Sequence, residues 1–384
     1  MRIGFDAKRA YHNGTGLGHY SRTLIQSLAT YFPSNEYLLF NPNPSTTFNL
    51  EGSNLKEIRP SSWIDKVFSA QWRTAGCVKD LQKLQVDLFH GLSHEIPIGL
   101  DKKGIPSVVT MHDLIFERYP FQYNRIDRMI YRKKFKYAIE HADQIIAISQ
   151  QTKNDLIDYY QAPAEKISIC YQSCNPAFQL SVAASEKDRI RKKYNLPPAF
   201  FLSVGSIIER KNLLAICKAF LLLKKEERLP LVVIGNGGSY KKIVQQFIAE
   251  NNLQDSILFL SEQASTKQDP DFVTAKDFPA IYQLATALVY PSTFEGFGIP
   301  VLEGISSGIP VVTSNLSCLP EAGGPGTFYV DPHQPEQIAQ QLQFILNHPD
   351  EVEKNIQAGK NYAQQFSLEK TSTAVMDIYK NLAH

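Results

Sequence analysis

Short apolar runs recur along the chain, separated by polar stretches of helix length. RIGFD (2–6), EYLLF (36–40), VDLFH (86–90), PSVVTM (106–111), QIIAIS (144–149) and KISICY (166–171) form one series. FFLSVG (200–205), LPLVVIG (229–235), SILFL (256–260), ATALVY (285–290), IPVVTS (309–314) and TFYVD (327–331) form a second. Runs this short and this continuously apolar predict strands covered on both faces. Helices are predicted between them over 18–31, 68–84, 125–141 and 150–160, the crossovers of parallel sheets. The fold class is therefore α/β, with two doubly wound, Rossmann-like domains. The stretch 175–198 has no buried-strand pattern and holds Pro176, Pro197 and Pro198. It predicts a linker at 181–198 between an N-terminal domain over 1–180 and a C-terminal domain over 199–365. The chain ends in helices over 335–347, 350–364 and 368–382, the last capped by Ser367.

With 384 residues, 43% hydrophobic and 20% charged, the chain is long enough for two cores. No apolar run reaches the ~18–20 residues that cross a bilayer, and the start, MRIGFDAKRAYHNG, has no apolar signal core. Five cysteines, an odd number and mostly scattered, predict reduced thiols in a cytoplasmic setting. Cys170 and Cys174 read as two strand-end thiols rather than a zinc site, lacking a second pair or a nearby His.

Charge changes the picture more than composition does. Residues 1–200 carry 26 basic and 19 acidic side chains, whereas residues 201–384 carry 14 and 19, a balance of +7 against −5. Arg118, Arg125, Arg128, Arg132, Lys133, Lys134 and Lys136 crowd 118–136, interleaved with Ile126, Met129, Ile130 and Phe135. This is a basic amphipathic helix. It reads equally as the solvated face of a core helix or as a surface for anionic lipid, where each basic residue contributes ~1 kcal/mol. Nucleic acid is not expected from a near-neutral chain without a binding motif.

In open parallel sheets ligands sit beyond the carboxyl ends of strands, so the segments after strands hold the candidate chemistry. YPSTFEGFGIPVLEGISSGIPVV (290–312) places Gly296 and Gly298 before a helix with Pro300 in its first turn. Glu295 before that helix and Glu303 in its first turn are acceptors for the hydroxyls of one ligand. An acid complementing the helix dipole explains Glu303 alone, but not Glu295 in a glycine loop. VGSIIERKNLL (204–214) turns at Gly205 and presents Arg210 and Lys211 before a helix, which suits a diphosphate. NGTGLGHYSRTLIQSL (13–28) opens a helix with Gly14, Gly16 and Gly18 but lacks the spacing of a dinucleotide fingerprint. No acidic residue clearly ends the next strand, which argues against NAD and an oxidoreductase. TMHDLIFERYP (110–120) sets His112 after a strand, able to donate to a sugar or phosphate oxygen. DLFHGLSHEIP (87–97) offers His90, His94 and Glu95 as the lining of an acceptor pocket; its spacing is not that of a zinc motif.

Taken together, EGFGIPVLE (295–303) with its E-x7-E spacing, GTGLGHYSR, HGLSHEIP, TMHDLIFERYP, IIAISQQTKNDL, GSIIERKNL and FSLEKTSTAVMDIYKNL resemble glycosyltransferase family 4, retaining enzymes of the GT-B fold. The likeness spans nearly the whole chain and extends to bacterial mannosyltransferases with HGLSHEIP-like and HDLIFERYP-like segments. It implies a nucleotide-sugar donor held by the C-terminal domain, an acceptor held by the N-terminal domain, and a final helix at 366–384 packed on the N-terminal domain. Residue by residue, it implies Glu295 on the donor sugar's hydroxyls, helped by the backbone of Phe297 and Gly298. Glu303 falls on the ribose, Lys211 on the diphosphate, His112 beside the donor sugar and Gly16 near the diphosphate. Family members often carry Arg directly after the strand-end glycine; here Ser206 stands there, and Arg210 is the substitute cation. The resemblance favours GDP-mannose, leaves UDP-sugars open, and implies a saccharide or lipid-linked acceptor in surface-polysaccharide assembly, peripheral to the inner membrane face. The polar segment 261–278, longer than usual, follows the strand expected near the nucleobase. Its Asp269-Pro-Asp271 resembles a metal-binding D-x-D, but with Lys211, Arg210 and a helix N-terminus on the leaving group, no metal and no cofactor are expected. A sugar-nucleotide epimerase and a non-catalytic nucleotide-sugar-binding subunit of the same shape are the alternatives.

Overall fold

The computed structural model describes residues 1–225 and 228–383. The chain forms two compact units, Met1–Ser173 with Phe366–His384, and Cys174–Gln365.

The first unit is built on a seven-stranded parallel sheet in the order β3-β2-β1-β4-β5-β6-β7. Its strands are β1 (Arg2–Asp6), β2 (Glu36–Phe40), β3 (Leu55–Ile58), β4 (Leu88–Gly91), β5 (Ser107–Met111), β6 (Gln144–Ala147) and β7 (Ile167–Ile169). Alternate residues feed opposite cores, because successive side chains of a strand point to opposite faces. Tyr37, Leu39, Leu88 and Val108 join the Gly16–Tyr31 helix through Leu24, Ile25 and Leu28. Leu38, Phe40, Phe89 and Val109 join Phe135, Ala138 and Ile139 of the Arg125–His141 helix. The terminal helix, Leu368–Leu382, belongs to this unit and inserts Val375, Met376 and Tyr379 into the first of these cores. Its cap is Ser367, whose side chain accepts from the Lys370 backbone N–H.

The second unit is a six-stranded parallel sheet in the order β10-β9-β8-β11-β12-β13. Its strands are β8 (Phe201–Val204), β9 (Leu231–Ile234), β10 (Ile257–Phe259), β11 (Ala287–Tyr290), β12 (Val311–Ser314) and β13 (Phe328–Val330).

In both sheets the chain runs outward to one side and then returns to the other side of the first strand. β1 therefore lies between β2 and β4, and β8 between β9 and β11. These reversals open a crevice at the carboxyl ends of β1/β4 and of β8/β11, where open α/β sheets bind ligands.

Three expectations change. The segment 181–198 is not a separate linker. It contains the Ala184–Lys193 helix, whose Ile190 is fully buried, followed by fully buried Tyr194, and the division between units falls at Ser173. The helix expected over 68–84 is broken into Ser69–Gln71, a π-helical turn at Trp72–Gly76, and Cys77–Lys83. On the Arg125–His141 helix, only the C-terminal half faces the core; Ile126 and Met129 stay about two-thirds exposed.

Candidate active site

Pairing of Leu288 with Leu202 sets β11 directly beside β8. The loops that leave these strands therefore emerge together. The chain leaves β8 through Gly205, whose φ of +137° is unfavourable for any side chain, and forms a short 3-10 turn at Glu209–Lys211. Asn212 ends that turn in the left-handed region and donates through Nδ2 to the Pro332 and Pro291 carbonyls. The chain leaves β11 through Ser292, and the backbone N–H of Thr293 donates to the Arg210 carbonyl at 2.9 Å. The two loops are thus fastened to each other.

Glu295 is the centre of this site. Its Oε1 accepts from Arg210 at 2.8 Å and Lys211 at 2.6 Å, and also from the Ser292 hydroxyl at 2.6 Å and the Tyr290 hydroxyl at 2.9 Å. The Lys211 ammonium also donates to the Tyr290 hydroxyl, and Arg210 to the Phe294 carbonyl. Burial alone would push the Glu295 carboxyl up. The charges of Lys211 and then Arg210 outweigh it and hold the carboxyl down at about 2. Burial in turn lowers Lys211, against the raising effect of Glu295.

The Glu295 loop is held from behind. The hydroxyl of Ser317, itself at φ +60°, donates to the Glu295 carbonyl at 2.9 Å and accepts from the Glu295 N–H at 3.3 Å. The Cys318 thiol lies 3.0 Å from the carbonyl oxygens of both Glu295 and Phe297 and shares its single proton between them. Gly298 caps the Ile299–Ser306 helix at φ +116°, and a Cβ there would lie 2.9 Å from Leu319. Because this helix begins at Ile299, Glu303 stands on its second turn, not its first as expected. Its Oε2 accepts from the Tyr282 hydroxyl at 2.8 Å, and burial raises its carboxyl to about 7.

The first unit holds the remaining candidates, and they divide. His112, almost fully buried, donates from Nε2 to the Leu92 carbonyl at 2.9 Å and accepts at Nδ1 from Gln172 at 3.2 Å. That tautomer follows from the hydrogen-bond partners. It corrects the expectation of a proton held ready for a sugar or phosphate oxygen, since the Nε2 proton is already given to Leu92. His94, at φ +64°, accepts the His112 backbone N–H at its Nε2, 2.9 Å away. His90 is corrected more fully: it has no exposed surface and lines no acceptor pocket. Its Nδ1 meets the Tyr379 hydroxyl at 2.5 Å and its Nε2 the Thr110 hydroxyl at 2.8 Å. Burial lowers His90, His94 and His112 to about 3 each, so all three are neutral at pH 7. Glu95 bridges Arg73 and Lys134 at 3.0 Å each and does line a cavity. Gly16 is the exposed first residue of its helix and would tolerate a Cβ. Gly18 would not, because its Cβ would fall 1.8 Å from the Asn13 carbonyl oxygen.

Among the described residues, one group of three carboxylates could gather around a cation: Asp269, Asp271 and Asp277. The Lys193 ammonium stands among them, 2.7 Å from Asp269, 2.8 Å from Asp277 and 3.8 Å from Asp271, and the Tyr194 hydroxyl donates to Asp277 at 2.7 Å with Asp269 at 3.1 Å. The segment 261–278 is fixed to the Ala184–Lys193 helix by this cluster and by Phe272 packed on Tyr194.

Two family descriptions match nearly all of this architecture. Residues 20–178 match Glycosyltransferase Family 4, and residues 185–362 match Glycosyl transferases group 1. The chain belongs to the family 4 glycosyltransferases. The O-antigen chain mannosyltransferase B of Escherichia coli is 27% identical over 400 residues, covering all of both chains. The O-antigen chain mannosyltransferase RfbU of Salmonella typhimurium is 25% identical over 94% of this chain and 95% of its own. The crystal structure of Anabaena HepE with UDP-glucose superposes with a TM-score of 0.72 at 15% identity, over 99% of this chain and all of that one. The fold of the glycosyltransferase is GT-B, and no helix among its described residues is long and apolar enough to cross a membrane.

Tyr290, Ser292, Ser317 and Cys318 complete the site and were not expected from the sequence. Tyr290 and Ser292 flank the carboxyl end of β11, and that position was the available signal. Ser317 and Cys318 come from the loop after β12, where nothing in the residue pattern marks them.

Proposed function

We propose that this glycosyltransferase moves a mannosyl group from GDP-mannose, with retention, to a hydroxyl of a saccharide or lipid-linked saccharide in surface-polysaccharide synthesis. The observation that carries the reading is the joint seating of Arg210 and Lys211 on one oxygen of Glu295 at the β8/β11 crevice. The similarity to two O-antigen mannosyltransferases favours mannose.

Two adjacent cations beside a strand end suit the donor's diphosphate. When it arrives it competes with Glu295 for both cations, through charge-assisted bonds of the same kind. The Glu295 carboxylate, ionised at any physiological pH, is then released to accept hydroxyls of the donor sugar. Glu303 accepts from the ribose. In the transition state the sugar–phosphate bond lengthens, the sugar becomes cation-like, and negative charge grows on the departing phosphate. Lys211 and Arg210 stabilise that charge, by ~3–4 kcal/mol for a key donor. The acceptor hydroxyl attacks the same face, and the leaving phosphate takes its proton. His112 has its Nε2 proton on the Leu92 carbonyl and takes no acid role in this scheme. No divalent ion is needed, because the two side-chain cations lie where the leaving group's charge develops; transfer unaffected by a chelator is the expected result.

Thermal-shift titration with GDP-mannose, UDP-glucose and ADP-glucose tests the donor, since a bound donor stabilises by mass action. GDP-mannose should give the largest shift. A larger shift with UDP-glucose would move the assignment to UDP-sugars, the class found in the HepE crystal.

We also propose that the Arg125–His141 helix rests on anionic membrane. Arg118, Arg132 and Lys134 are held at 3.0 Å or less by Asp155, Glu117 and Glu95, whereas Lys136 meets Glu140 only at 3.8 Å and Arg128 the Pro120 carbonyl at 3.5 Å, so Arg125, Arg128, Lys133 and Lys136 are the basic residues tested. Changing these four to Gln should reduce binding to phosphatidylglycerol vesicles; unchanged binding removes the membrane proposal.

A further inference from the structure

The first unit contains a cavity of about 270 Å³, the one that Glu95 lines. It lies at the carboxyl ends of β2, β1 and β4, where the chain reverses direction across the sheet. Phe40 ends β2, Asp6 ends β1, and Glu95 follows β4. This is the position at which an open α/β sheet takes a ligand.

The walls and the floor differ in chemistry. Trp72, Ile96, Pro97, Ile98, Ile130 and Tyr137 make the walls apolar. Trp72 is fixed, its Nε1 donating to Asp80 at 2.7 Å and its ring stacked on Phe40. The floor is an ion-pair chain. Arg73 holds both oxygens of Asp6 and reaches Glu95, which also binds Lys134; Lys133 adds a further cation to the lining. Arg73 is presented by the π-helical turn Trp72–Gly76, an element that recurs at functional sites. A site with carbon walls and one charged end fits neither a free sugar nor a plain hydrocarbon. It fits an amphiphile.

The surroundings point the same way. Ile98 and Ile130 line the cavity and are also about half exposed. The Trp63–Val67 helix, a few residues before the π-turn, has no buried residue, and Trp63, Ile64, Val67 and Phe68 are each more than half exposed. A run of large apolar side chains left in water next to a site marks an interaction with an apolar phase.

We propose that this cavity binds the apolar chain of a single-chain anionic amphiphile, with the anionic head on the Arg73–Lys134–Lys133 side. Resting on the transfer reading above, this is the lipid end of the acceptor, and the β1/β4 crevice selects acceptors by their chain as well as by their sugar.

The protein has only two tryptophans, which gives a direct test. In the Trp63→Phe variant, Trp72 in the cavity wall is the sole tryptophan. A doxyl-labelled stearate should quench its fluorescence along a saturating curve. Ile98→Glu or Ile130→Glu, both at partly exposed positions that leave folding intact, should weaken that binding at least tenfold. Absence of saturable quenching, or quenching indifferent to both substitutions, overturns the proposal. Farnesyl phosphate, one chain on one phosphate, should displace the probe, whereas phosphatidylglycerol vesicles should not. Displacement by the vesicles alone overturns the assignment to an acceptor lipid. The donor thermal shift measured on the same variants keeps the two readings apart: a normal shift with no quenching defeats this inference and leaves the transferase reading standing.

Discussion

Lys211 and Glu295 are joined at 2.6 Å although they sit on loops that leave different strands. The contact exists because β8 and β11 are neighbours in the sheet, so a cation after one strand and a carboxylate after the other share a crevice. In the absence of donor, each neutralises the other.

Lys211→Ala should lower kcat by 10²–10³, the cost of one key donor to a developing charge. Arg210 still neutralises Glu295, so the melting temperature should change little. Near-normal transfer by a folded Lys211→Ala protein contradicts the placement of the diphosphate.

Glu295→Ala has the opposite signature. Two buried cations lose their carboxylate, which costs ~3–5 kcal/mol when one partner of a buried pair is removed. The melting temperature should drop, and GDP should restore it by more than it raises that of the unaltered enzyme, because its diphosphate supplies the missing negative charge. Differential scanning calorimetry with and without GDP reads both effects.

With the donor's ribose placed on Glu303 as proposed, donor binding should depend on pH. Its carboxyl titrates at about 7 in the fold against 4.5 as the usual value. The folded state therefore holds the proton more tightly, and Glu303's contribution to stability is lost as pH rises from about 4.5 through about 7, by ~3 kcal/mol at most. Glu303→Gln should be more stable than the native enzyme at pH 8 and nearly equal to it at pH 5, while binding donor more weakly at pH 8. In the native enzyme, donor KM should rise as pH falls below 7, when the carboxylate proposed to accept the ribose hydroxyls becomes protonated. A donor KM flat from pH 6 to 8 would remove Glu303 from the ribose.

The histidines act with the reverse sign. His90, His94 and His112 are lowered to about 3 by burial. The unfolded chain binds their protons first, so stability present above pH 6.5 is lost as pH falls towards 3. The melting temperature should decline steadily from pH 6.5 to 5. A flat profile there would mean that these rings are not held neutral.

Gly18→Ala should destabilise the first unit by more than 1 kcal/mol, since the new Cβ meets a backbone oxygen that cannot yield; Gly16→Ala, with open space around it, should be nearly silent. Chemical denaturation of the two variants makes the comparison.

Every strand that the apolar runs predicted is present, because a strand buried on both faces leaves a continuous apolar signature. β3 was missed for the same reason: Leu55–Ile58 is an edge strand with Lys56 and Glu57 in solvent. Glu295, Arg210 and Lys211 were legible from their place after strands, but their mutual ion pairing was not, since strand order is not written locally. His90 misled because a histidine at a strand end looks the same in sequence whether it faces a ligand or a buried tyrosine from the far end of the chain. The Trp72–Gly76 π-turn and the exposed Trp63–Val67 face were hidden inside segments that read as ordinary amphipathic helix or loop.

The placement of Val375, Met376 and Tyr379 in the core of the first unit bears on how the protein is made. Domains ordinarily fold in order as they leave the ribosome, amino-terminal first. Here the unit begun first is completed only after the second: its sheet emerges before residue 174, yet the side chains that seal one face follow the whole of the Cys174–Gln365 unit. Until Val375, Met376 and Tyr379 have been made, that face waits uncovered, and a nascent chain halted before Val375 should be a client for chaperones even though the Cys174–Gln365 unit precedes it.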